Sequence, residues 1–80
     1  MSAASRRRVA GYIWNQEVAR IEQSHDEIRG LTRQALACLE NHPISVRLLV
    51  TYVAQIALHL NTATAALREL ERIAQEHREE

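Results

Sequence analysis

Lysine and phenylalanine are absent from this 80-residue sequence, and it holds one cysteine, one proline and two glycines. Each shortage excludes something. A single thiol, Cys38, cannot close an intrachain disulfide, which rules out a stapled secreted scaffold and points to a reducing compartment, the cytoplasm. So few turn residues cannot punctuate a series of strands, so β and α/β architectures are excluded and an all-α chain is expected. Ten arginines supply all the positive charge and balance ten acids, giving a formal net charge of zero. That balance removes the usual electrostatic case for nucleic-acid binding. Arginine offers a planar fork of donors suited to interface ion pairs, and a GC-rich genome produces the same bias without function.

The first acid is Glu17, and Arg6, Arg7 and Arg8 stand ahead of it with Ser2 and Ser5. No apolar run of seven or more follows, so a secretory signal is unsupported and residues 1–8 read as a flexible basic terminus. The most apolar stretch, 48–60, is interrupted by Thr51, Gln55 and His59 and is too short to span a bilayer. A soluble protein with no membrane span is expected.

Two helical patterns flank Asn41, His42 and Pro43, where proline removes a backbone donor and pushes His42 out of the α region. Before this turn, Trp14, Val18, Ile21, His25, Ile28, Thr32, Ala35 and Leu39 step by fours and threes. After it, Leu49, Val53, Ile56, Leu60, Ala63, Leu67, Leu70 and Ala74 do the same. Both are heptad seams, predicting one helix over roughly 9–41 and a second over roughly 44–78. The connection is short, so the helices lie antiparallel and 1–80 forms a single domain, a long helical hairpin. Ser24 with Glu27 has capping-box spacing, and Asn61, Thr62 and Thr64 are weak helix formers; the uninterrupted phase of both stripes favours continuous helices.

Apolar residues are unevenly spread. Leu48, Val50, Tyr52, Ala54, Ala57 and Leu58 add apolar surface beyond the seam near the turn, as do Leu31, Leu36 and Cys38 on the other helix. A helix apolar on most of its circumference must be covered on more than one side, so the hairpin is expected to complete a helical bundle by oligomerisation or partner binding. Those six residues of the second helix, with Trp14 as an aromatic anchor, form the expected partner interface. A homodimer is the favoured assembly.

Catalytic and metal chemistry is poorly provided for. His25 and His59 could share a level on facing helices, but with Asp26 or Glu22 they make an incomplete tetrahedral set. His25 on the seam is better read as a packed histidine whose charge could tune assembly near neutral pH. Cys38 precedes His42 by four residues, yet a thiol nucleophile also needs an oriented base and oxyanion donors, so it reads as a small hydrophobe. Arg6, Arg7 and Arg8 lie near Glu76, Glu79 and Glu80 in an antiparallel hairpin, where mutual neutralisation is expected. No catalytic residue, cofactor, metal or small-molecule substrate is assigned.

The resulting expectation is a non-enzymatic interaction module of bacterial or phage type. It would self-associate, or bind a larger helical protein, through the apolar face around 48–60. Another is a small dimeric DNA-associated regulator using its Arg6, Arg7 and Arg8 end. In outline, helix, Asn41-His42-Pro43 turn and helix, the chain also resembles the small hairpin subunits and co-chaperones of type III secretion. That resemblance implies a chaperone-like role in covering another helical protein. The chain lacks the second turn proline of the needle subunits, and the stretch from Glu76 to Glu80 differs from their C-terminal tail, so no residue roles transfer.

Overall fold

A computed structural model describes residues 2–41 and 46–78. The fold is all-α, with α1 over Ala3–Asn41 packed against α2 over Val46–Arg78. The hairpin measures 61 by 16 by 14 Å, two helices wide along its whole length. The proline turn expected at His42 and Pro43 lies outside the described residues. We call the end near Asn41 and Val46 the joined end and the other the open end.

The helix α1 begins earlier than the composition of its first residues suggests. Helix was expected from about residue 9; α1 starts at Ala3, capped by Ser2. The Ser5 N–H donates to Ser2 Oγ at 3.2 Å and the Arg6 N–H to the Ser2 carbonyl at 3.0 Å. A serine in this place satisfies donors that the first turn otherwise leaves orphaned, and Ala3 and Ala4 are strong helix formers. No acid stands in that first turn to offset the dipole against the arginines that follow.

Both helices run unbroken. Ser24 is buried inside α1, 3% exposed, and starts no helix there. The threonines stay helical by bonding backward: Thr62 Oγ1 donates to the Leu58 carbonyl at 3.2 Å and Thr64 Oγ1 to that of Leu60 at 2.8 Å. Thr32 and Thr51 do the same to Ile28 and Arg47. Their hydroxyls are thus satisfied without unwinding the backbone.

The seam differs from the expected one in a regular way. In α1 it consists of Ala10, Ile13, Glu17, Ile21, Ser24, Ile28, Leu31, Ala35 and Cys38, all buried or half-buried. In α2 it is Leu49, Tyr52, Ile56, His59, Ala63, Ala66, Leu70, Ile73 and His77. Ile21, Ile28 and Ala35, and Leu49, Ile56, Ala63 and Leu70, stand where expected. Every alternate position has moved back by one residue. Tyr52 replaces Val53, His59 replaces Leu60, Ala66 replaces Leu67, Ile73 replaces Ala74, and in α1 Ser24 replaces His25 and Leu31 replaces Thr32. Val53 and Leu60, expected in the core, are 65% and 52% exposed.

The seam mixes Ile and Leu with small and polar side chains and buries little. Among the described residues the buried apolar set is Ala66 and Ile73, joined by Ser24 and Glu17. Glu17 pairs with Arg20 at 3.5 Å one turn along, and Arg20 remains mostly in solvent.

Candidate interaction face

One residue beyond each seam position, about 100° further round the helix, lies a second stripe. On α2 it is Val46, Val50, Val53, Ala57, Leu60, Thr64 and Leu67, stepping by fours and threes and exposed throughout. On α1 the corresponding positions include Trp14, Val18, Glu22, His25, Arg29, Thr32, Leu36 and Leu39. Both helices are right-handed and they run in opposite directions, so displacement by one residue from the seam turns both stripes to the same side of the hairpin. The residues one position before the seam meet on the opposite side. There Arg20 shares a groove with Thr62, Ala65 and Glu69, and nearer the open end Arg6 and Val9 share one with Arg72 and Glu76.

The hairpin is therefore two-faced. Eight of the twelve exposed large hydrophobic side chains among the described residues lie on the apolar side: Trp14, Leu36, Leu39, Val46, Val50, Val53, Leu60 and Leu67. The other side carries the Arg–Glu pairs. Gln16 Nε2 donates to the Tyr12 hydroxyl at 2.9 Å. Arg72 forks onto both Glu69 oxygens, its Nε at 3.1 Å, and reaches Glu76 with its remaining nitrogen. The Arg72 hydrogen bond holds the Glu69 carboxyl below its ordinary value, and the Glu69 and Glu76 bonds raise the guanidinium further above its own.

The expected interface residues divide between three surfaces. Val50 and Ala57 lie on the apolar stripe and Ala54 is exposed at its edge. Trp14, 39% exposed, stands on the same side near the open end. Tyr52 belongs to the seam, half-buried three residues after Leu49 and four before Ile56. Leu48 and Leu58 lie one residue before seam positions, on the polar side, 39% and 65% exposed. Leu36, Leu39, Val46, Val53, Leu60 and Leu67 were not assigned to the interface; their signal was a second heptad register one residue beyond the seam.

The histidines do not converge. His25 is exposed beside Asp26 at 3.8 Å, whereas His59 is half-buried in the seam. His25 is thus not the packed seam histidine expected; Ser24, small enough for close helix approach, takes that place. Among the described residues no group of three His, Cys, Asp or Glu side chains is placed to hold a metal. Cys38 is half-buried in the seam, and its expected neighbour His42 lies outside the described residues, as do Glu79 and Glu80. Arg6 shares the open-end groove with Glu76, which is itself paired with Arg72.

By length and composition α2 is apolar enough to cross a bilayer, and none of its most apolar 18-residue window is buried within the chain. No Asp, Glu, Lys or Arg occurs between Arg47 and Arg68. Neither a protein-family model nor a curated protein nor a solved structure matches this chain.

Proposed function

We propose that this chain is a non-enzymatic assembly module that binds another helical surface, its own or a partner's, through the apolar side of the hairpin. The observation that carries this reading is the continuous exposed stripe from Val46 to Leu67, flanked on the same side by Leu36 and Leu39. A monomer rarely leaves so long an apolar stripe in water, and a contiguous patch of this kind marks an interaction site. The opposite side, with its Arg72, Glu69 and Glu76 cluster, suits solvent.

A charge scan tests the reading. Val53→Glu and Leu60→Glu should lower the mass seen by light scattering to that of one chain and reduce the thermal midpoint, because each buries an unpaired carboxylate in the contact. Thr51→Glu and Gln55→Glu, on the polar side, should change neither. Equal behaviour of both pairs would remove the apolar side as the contact.

A bilayer is the second reading, favoured by the lack of charge between Arg47 and Arg68. A peptide of this length without charge matches the thickness of the hydrocarbon core. Flotation with phosphatidylcholine vesicles separates the two readings, since an assembly module stays in the aqueous fraction.

A further inference from the structure

We infer, resting on the assembly reading above, that the occupant of the apolar side is a second copy of this chain, packed face to face with both joined ends together. The result is a four-helix bundle in which α1 of one copy lies antiparallel to α2 of the other.

Area argues for a copy. The chain exposes 6376 Å², whereas a compact monomer of its 9.1 kDa mass exposes about 4,900 Å². The excess, about 1,500 Å² per chain, becomes about 3,000 Å² when two copies cover each other, within the range of obligate homodimers.

Charge and shape argue for the orientation. A twofold axis along the hairpin keeps every residue at its own level, so residues level within one chain are also level across the interface. Ala10 and Ile13 line the open-end groove together with Ile73 and His77, so antiparallel pairing places Ile13 at about the level of Ile73 and Ala10 at about that of His77. The same register brings Leu36 opposite Val50 of the partner and Leu39 opposite Val46, apolar on apolar at the joined end. It brings Glu40 beside Arg47 of the partner, opposite charges at the rim. A shallow groove along α1, lined by His25, Ile28, Arg29, Thr32, Arg33 and Leu36, then receives Val53 and Leu60 of the partner. Arg29 can cover apolar surface with its stem while its head stays in water. The alternative, with joined ends opposed and α2 crossing α2 at Ala57, sets Arg47 beside Arg68 of the partner, like charges at the rim.

Disulfide trapping tests the orientation in a Cys38→Ala background. Leu36→Cys combined with Val50→Cys should give a covalent dimer on mild oxidation, whereas either cysteine alone should not. Within one chain the two side chains project side by side from neighbouring helices, beyond the Cβ separation of about 4 Å that a disulfide needs. Ala57→Cys alone should stay uncrosslinked. Rapid trapping through Ala57→Cys with none through the 36 and 50 pair would overturn the orientation while leaving the assembly reading intact. So would a dimeric mass with no trapping by either design. A single-chain mass for the unmodified protein overturns the second copy as occupant, and if it also floats with phosphatidylcholine vesicles the assembly reading fails with it. Helix content by circular dichroism confirms that each variant is folded before trapping.

Discussion

Tyr52 and Val53 are neighbours in sequence and serve different surfaces: Tyr52 is half-buried in the seam, and Val53, about 100° round the helix, is 65% exposed. The same relation recurs at His59 and Leu60 and at Ala66 and Leu67. In each pair the residue facing α1 is no better a core residue than the one facing out. At these three levels α2 places its aliphatic residue on a surface that the hairpin itself does not cover.

Loss of a seam residue should weaken the hairpin. Among the described residues Ile73 is the largest buried apolar side chain, 6% exposed. Ile73→Ala should destabilise by about 2–3 kcal/mol, as removal of buried aliphatic groups does. Chemical denaturation measures this; a change under about 0.5 kcal/mol would place Ile73 outside the packed set.

Gly30 stands in the middle of α1 on the polar side, and a Cβ added there meets no atom within 4 Å. Gly30→Ala should therefore stabilise the protein by about 1 kcal/mol through helix propensity alone. A rise in thermal midpoint without a change of mass is the expected result. A fall would reveal a close approach on this side.

Glu17 occupies a seam position and is 8% exposed, with one ion-pair partner, the mostly exposed Arg20. Desolvating a carboxylate is costly, and an apolar side chain of similar size removes that cost, so Glu17→Leu should stabilise by about 1 kcal/mol. A lower midpoint would mean that Glu17 does more than sit in the seam.

The Glu69 carboxyl, held down by its Arg72 hydrogen bond, contributes stability above its unfolded value that is lost as the pH falls through its lower folded value. The proton titration of Glu69 followed by NMR should shift upward in Arg72→Gln. An unchanged titration would show that the fork is open in solution.

Much of this was legible in the sequence. The two stripes through Ile21, Ile28 and Ala35 and through Leu49, Ile56, Ala63 and Leu70 locate both helices and part of each seam, since their period depends only on helix geometry. The other half was not legible, because α2 carries apolar residues in two adjacent heptad registers. Hydrophobicity favours Val53, Leu60 and Leu67; close approach of two helices favours small Ala66, with Ser24 in α1. The seam took Tyr52, His59 and Ala66, and Val53, Leu60 and Leu67 became the exposed face. The capped start at Ser2 was hidden by the arginines after it, whose charge suggested a loose terminus.

The central claim is that the face from Val46 to Leu67 is covered by another copy. Light scattering of the unmodified chain across a wide concentration range tests it most directly. The account predicts twice the 9.1 kDa chain mass, with a thermal midpoint that rises with protein concentration as linkage to association requires. A single-chain mass at every concentration, with a concentration-independent midpoint, would contradict it.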